Sequence, residues 1–378
     1  MKALFEKRLV YFLLCCAIVT INFNFVAVAA IIPAIGSDLS LPDFVVSKII
    51  TYYLIPYGVG ALIFAPLTKY ITYRNALAGS LFIYALASLF CGLSQGLDQL
   101  VAGNIIAGVS AAGTIPLGLM VIGELFEKEV RGRLVGLFFS CSFMAALSGL
   151  LVSGLAHWRW LFLIPVILGA LTVIGFFALP TGALNRKHQA PVNYFKVFTD
   201  PRIRNVFVFI VIMSFLYHGV HKWYGVYLAQ EYHLDKLSIS FFIMITSVCG
   251  AAGQNIGGFL TDKKGRIAAC LLGGVVLAAS TMLLAGRYPL VILAIVLAGV
   301  AIGWTISHNS ISTVLTDFPE DDRPMIASLN SSLRFISGGL GFSVSSYFVQ
   351  KSFSATFFII GILILVMSFL LKKLNIGH

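Results

Sequence analysis

Apolar stretches of about twenty residues recur from one end of this chain to the other. A run of that length makes a helix that crosses the ~30 Å hydrocarbon layer of a bilayer. In lipid, backbone amides must be satisfied within the structure, which leaves spanning helices and closed barrels as solutions. The runs fall at roughly 10–34, 45–67, 75–94, 98–123, 134–155, 160–180, 205–229, 239–260, 267–286, 289–315, 325–349 and 354–371, long for barrel strands and right for helices. Only 11% of residues are charged, against about 25% in soluble domains. The expectation is an all-α membrane protein of twelve transmembrane helices with short loops and no soluble domain. The first run is too long for a cleaved signal peptide, and no small-residue cleavage site precedes the second.

The net charge of +11 is explained by topology. With the N-terminus in the cytoplasm, 19 of the 26 Lys and Arg fall on that side and 5 on the other, with Lys222 and Arg334 inside runs. This is the positive-inside bias, and it predicts a multi-pass plasma (inner) membrane protein with both termini cytoplasmic. Nucleic acid is not needed to explain the basic balance. The six cysteines lie within or at the edge of runs, form no CxxC pair and suggest no disulfide framework or zinc set. No metal or cofactor is expected.

The longest polar stretch divides the runs six and six, which predicts an N-terminal bundle over 1–180, a cytoplasmic linker over 181–204 and a C-terminal bundle over 205–378. Many transporters are built from such repeats, with the binding site at the midplane.

Between the eighth and ninth runs the chain reads Gly258-Phe259-Leu260-Thr261-Asp262-Lys263-Lys264-Gly265-Arg266. This resembles the G-x-L-x-D-r-x-G-r loop of the major facilitator superfamily. Ala107-Gly108-Val109 through Glu124-Leu125-Phe126 to Arg131-Gly132-Arg133, Trp158-Arg159-Trp160-Leu161-Phe162 and the stretch from Asn330 to Gly341 resemble further motifs of that family. Coverage is essentially the whole chain, and the nearest flavour is the twelve-helix drug and sugar efflux permeases. The resemblance implies two pseudo-symmetric six-helix bundles and a secondary transporter, by family default a monomer. It also implies a cytoplasmic gate of Gly258, Asp262, Lys263, Gly265 and Arg266, in which Asp262 is suited to a helix N-terminus. The chain departs from the pattern in places. Lys69 and Thr72 replace the Asp and second Gly of the corresponding first-half loop. Asn104 stands where efflux members carry Arg, and Ser148-Gly149 where antiporters carry Gly-Pro.

All 15 acidic residues lie in loops and run ends, yet His218, His221, Lys222, His308 and Arg334 lie within runs. Ionisable groups in hydrocarbon are costly and face a partner or a cavity. The resemblance places helices 1, 4, 7 and 10 around the central cavity. Helix 1 offers Asn22 and Asn24, of which at least one is expected to pack against another helix. In helix 7, His218, His221 and Lys222 share one side by their i, i+3, i+4 spacing, in a helix that Gly219 interrupts. Lys222 snorkelling outward and His218 as an ordinary hydrogen-bonded histidine are the structural alternatives. Trp304 and His308 in helix 10 are i, i+4, an aromatic platform beside a polar group, with bundle packing as the alternative. Arg334 in helix 11 keeps its charge and needs an acceptor, which neighbouring carbonyls would also supply.

These residues predict a carrier of a small organic solute, anionic or zwitterionic, working by alternating access. Substrate would meet Asn22, Asn24, His218, His221, Lys222, Trp304, His308 and Arg334, and His218 or His221 would carry a proton. Facilitated diffusion and anion exchange are the fallbacks. A multidrug or sugar efflux permease and a non-transporting sensor of the same fold stand as alternatives. No HExxH, GxSxG or carboxylate dyad within the runs suggests an enzyme. The expected partners are the solute and the lipid bilayer.

Overall fold

The computed structural model describes residues 2–180, 182–187, 194–317 and 323–371; Thr181, residues 188–193 with Pro191 of the expected linker, 318–322 and 372–378 lie outside the described residues. Every regular element among the described residues is helical. The chain divides into two compact units, Met1–Val192 with Ala327–Ser332, and Asn193–Ile326 with Leu333–His378.

The first unit contains α1 (Lys2–Phe25), a 3₁₀ turn at Ala27–Ala29, α2 (Ile32–Leu39), α3 (Asp43–Val46), α4 (Lys48–Leu67), α5 (Tyr73–Gly92), α6 (Leu97–Ala111), α7 (Thr114–Leu125), α8 (Lys128–Leu155) and α9 (Trp160–Ala178). The second contains α10 (Tyr194–Val197), α11 (Pro201–His221), α12 (Tyr224–Tyr232), α13 (Lys236–Lys264), α14 (Arg266–Leu283), α15 (Leu290–Ser312) and α17 (Phe353–Leu370). The remaining helix, α16 (Arg323–Val349), carries the residues divided between the two units.

Among the described residues, eleven segments are long and apolar enough to cross a membrane. The remaining expected run, the eleventh, corresponds to α16, which is 27 residues long, about 40 Å at 1.5 Å per residue. Asn330, Arg334 and the six serines from Ser328 to Ser345 hold its hydropathy down. Large apolar side chains face outward along the helices, among them Phe82, Leu171 and Ile295, each more than half exposed. An apolar coat on that scale is a membrane-facing surface.

Each unit repeats the same close approaches between helices. A Cβ on Gly149 of α8 would overlap the carbonyl of Phe23 in α1, and one on Gly341 of α16 would overlap the carbonyl of Phe215 in α11. Gly60 sits against Val109 as Gly253 sits against Ile302, and Gly169 against Ala85 as Gly361 against Ala278. The matched positions lie 192 or 193 residues apart throughout. Small residues let membrane helices approach to backbone contact, so this register is the packing signature of a duplicated unit. It extends to the helix interruptions. The first run breaks over Val26–Ile31, between α1 and α2, and the seventh at Lys222 and Trp223, between α11 and α12.

Helix entries are capped as their sequences suggest. Thr72 accepts a hydrogen bond from the Asn75 amide at 3.3 Å, Asp235 from Ser238 at 3.1 Å and Ser352 from Ala355 at 3.1 Å, satisfying donors the first turn leaves open. The start of the expected linker is fastened to the first unit. The Ala183 amide donates to Glu6 Oε1 (2.6 Å) and the Tyr73 amide to the Arg186 carbonyl (3.0 Å).

Candidate functional site

Four aromatic rings of the second unit form one stacked column. His221 lies on Tyr217 with ring centroids 5.0 Å apart and planes at 18°. Tyr217 lies on Trp304 at 4.0 Å and 2°, and Trp304 on His308 at 5.1 Å and 6°. The column arises because two i, i+4 pairs on neighbouring helices, Tyr217 with His221 and Trp304 with His308, each put two rings on one helix face. Close stacking on Tyr217 and on His308 uses the faces of the Trp304 indole, which is only 9% exposed. Trp304 is thus a packed member of the column, and what it leaves to a solute is its edge.

Arg334 of α16 closes one end, its Nη1 2.9 Å from His308 Nε2. A guanidinium carries only donors, so Nε2 is the acceptor and this imidazole is neutral, with its proton on Nδ1. Arg334 also lies over the Phe335 ring at 4.9 Å. The acceptor that the sequence demanded for Arg334 is therefore in part a histidine.

His218 stands edge-on to Tyr217 (5.2 Å) and to Trp304 (6.0 Å). Its Nδ1 donates to the Ser214 carbonyl at 2.9 Å, which fixes the tautomer and leaves Nε2 as an acceptor. Its ring rests on Gly338, one turn along α16 from Arg334, where a Cβ would come 2.8 Å from Cγ.

Lys222 follows the last residue of α11 as its C-cap and is 5% exposed. A snorkelling lysine would expose its head, so the outward reading is corrected. Its backbone amide caps α11, donating to the His218 carbonyl at 3.4 Å. The interruption expected at Gly219 is also corrected: α11 continues through it to His221, and a Cβ on Gly219 would come 3.3 Å from the Gly341 carbonyl. His221 Nδ1 and Tyr224 Oη are buried with no hydrogen-bond partner among the described residues.

The predicted residues of helix 1 belong to the first unit. Asn24 is buried and accepts from Tyr84 Oη at 2.8 Å, while Asn22 donates back to the Ile18 carbonyl at 3.1 Å. Asn24 is thus the amide that packs against another helix. Asn104 also turns back, donating to the Leu100 carbonyl at 2.8 Å.

At the gate loop, Gly258 and Asp262 lie within α13 and Lys263 near its end, with Lys263 Nζ 5.3 Å from the Phe259 ring centroid. Gly265 turns the chain at φ +84°, and Arg266 opens α14. Asp262 is therefore in the last turn of a helix rather than at an N-terminus, because α13 runs three residues past the apolar part of its sequence. Gly265 needs its glycine, since L-residues avoid positive φ. The first-half loop does not, because Thr72 takes φ −70° as a cap.

Sequence reasoning did not single out Gly338, Ser214 or Tyr217. The i, i+4 spacing of Tyr217 and His221 was a readable signal, identical to that of Trp304 and His308.

Comparison with known proteins agrees with this architecture. The structure of a bacterial homolog to the human lysosomal transporter Spinster, inward-facing and unoccupied, superposes with a TM-score of 0.80 at 13% identity, covering 98% of this chain and 97% of that one. A D-xylose–proton symporter gives 0.76 at 15% identity and 97% of each chain. In sequence, the chain is 24% identical over 314 residues to the uncharacterized MFS-type transporter YwfA of Bacillus subtilis, covering 78% of this chain and 74% of that protein. It is 25% identical over 332 residues to the probable L-galactonate transporter of Escherichia coli, covering 75% and 71%. Residues 12–341, and again 224–375, match the family described as Major Facilitator Superfamily. With most of its length matched and its helices folded alike, the chain belongs to the Major Facilitator Superfamily of membrane transporters.

Proposed function

We propose that this transporter moves a small organic solute, anionic or zwitterionic, by alternating access, with proton coupling through the histidines of the stacked column. The observation that carries the reading is the charge gathered in the second unit. Lys222 and Arg334 flank buried His218 and half-buried His221 and His308, and no Asp or Glu occupies the apolar interior of these helices. A cationic solute would meet repulsion there, while a carboxylate would find two cations and imidazole donors. The Trp304 and Tyr217 edges supply apolar contact for the body of the solute. The probable L-galactonate transporter of Escherichia coli, named for a carboxylate solute, is in keeping with this reading.

Alternating access in this scheme is motion of one six-helix bundle against the other around a fixed site. The glycine approaches described above allow helices to slide at backbone contact. His218 and His221 are the sequence's candidates for the proton, and His308 joins them by position.

Thermal stabilisation of the purified protein by matched anionic, zwitterionic, neutral and cationic solutes, at about pH 6 and about pH 7.5, tests the substrate class. A ligand at one hundred times its Kd stabilises by about 2.7 kcal/mol. Anions are expected to raise Tm, more strongly at the lower pH. A rise with hydrophobic cations alone would overturn the reading in favour of multidrug efflux.

A further inference from the structure

We propose that His308 is the switch for Arg334: neutral, it holds the guanidinium, and on taking a proton at Nε2 it gives the guanidinium up to an anionic solute. This rests on the anionic reading above and deepens it. The 2.9 Å contact between Arg334 Nη1 and His308 Nε2 requires a lone pair on Nε2. A proton arriving from water forms an N–H bond on that lone pair. The Arg334 N–H···N hydrogen bond is then broken, and two cations face each other where one cation and one acceptor stood. Arg334 keeps its own protons throughout, and the Nη1 hydrogen that faced Nε2 is released for an anionic acceptor. The solute carboxylate supplies it.

The surroundings of His308 leave this as the outcome. From α16 it faces Arg334, and from α11 His218, with Tyr217 beyond the Trp304 indole and Lys222 beside His218 and His221. Polar contacts also join α15 to the other helices packed on it. Gln254 of α13 meets Asn309 through its carbonyl, and Cys270 of α14 meets Ser307. No Asp or Glu lies in the apolar parts of α11, α13, α14 or α16 to neutralise a second cation. The bond described for His218 joins its Nδ1 to a backbone carbonyl, so a proton arriving at Nε2 would leave that bond intact. By linkage, proton and anion then favour each other's binding equally. One proton moving with one monovalent anion carries no net charge, so transport should follow a pH gradient and ignore membrane potential.

Trp304 lies on His308 and reports its protonation by quenching, so the switch is readable with no solute present. Tryptophan fluorescence of the full-length protein is followed between about pH 5 and about pH 8. The wild type is expected to titrate and His308→Gln, which keeps an acceptor but takes no proton, to lose the transition. Trp304→Phe should lose it also, and the pair His218→Gln with His221→Gln should keep it; His308→Asn replaces the first variant if that fails to fold. A transition that survives in His308→Gln, disappears with the His218 and His221 substitutions, or is absent from the wild type overturns the proposal. With L-galactonate as probe, apparent affinity should rise by up to about tenfold per unit fall in pH, and this dependence should vanish in His308→Gln. A wild type that binds L-galactonate at no pH counts against the carboxylate reading of the previous section, while the fluorescence arm still decides the role of His308.

Discussion

Gly338 shows how little separates a working cluster from a disrupted one. The His218 ring occupies the space a Cβ would take, 2.8 Å away at its nearest atom, while its Nδ1 is bonded to Ser214 and its edge meets Tyr217 and Trp304. With all sides occupied, the imidazole has nowhere to yield. Gly338→Ala should destabilise by about 1–3 kcal/mol through overpacking and weaken solute binding by at least about tenfold. Ser337→Ala, which removes only bonds to the Leu333 and Arg334 backbone carbonyls of its own helix, should leave both close to wild type. Parallel melting and binding measurements on the two variants check this. At this scale the sequence was partly legible. The i, i+3, i+4 spacing exposed the charges of helix 7, and the absence of acids gave their sign. It could not show that Arg334 meets His308, since that contact joins helices 26 residues apart along the chain. Nor could it show that Gly338 makes room for a ring, since a glycine's sequence carries no record of what fills its space.

At the scale of the element, the helix crossings carry the sharpest consequence. Gly149 and Gly341 each put a helix against a neighbouring backbone carbonyl, so any side chain must push the helices apart. Gly341→Leu and Gly149→Leu should each lower expression of folded protein and cost more than about 3 kcal/mol, as severe overpacking does. Gly79→Leu, with open space at its Cβ, should be tolerated; fluorescence-detected size exclusion of the three variants distinguishes these outcomes. Helix positions were legible throughout because twenty-residue apolar runs have few other solutions in lipid. The interruption of the seventh helix was misplaced at Gly219, where composition suggested a weak point. The backbone breaks three residues later, and Gly219 serves packing. The polar character of α16 was visible in its serines, Asn330 and Arg334, but their use was not.

For the whole molecule, the sequence gives a topology through charge. The excess of Lys and Arg in alternate loops predicts that both ends face the cytoplasm. Single cysteines placed at exposed Gln95 and Thr199 in a background lacking the native six should then label from opposite sides. A membrane-impermeant maleimide applied to intact cells should modify the first and spare the second. The reverse pattern would invert the proposed orientation.

The two units share their crossings residue for residue, but their chemistry has parted. Where the second carries Tyr217, His218, His221, Lys222, Trp304, His308 and Arg334, the matching register in the first holds Phe25, Val26, Ala29, Ala30, Ala111, Ile115 and Ser142. One half thus serves as an unmodified reference printed beside the specialised half. The packing register recurs in both halves while these side chains stand in one alone, so the protein contains the blank against which its own site can be read.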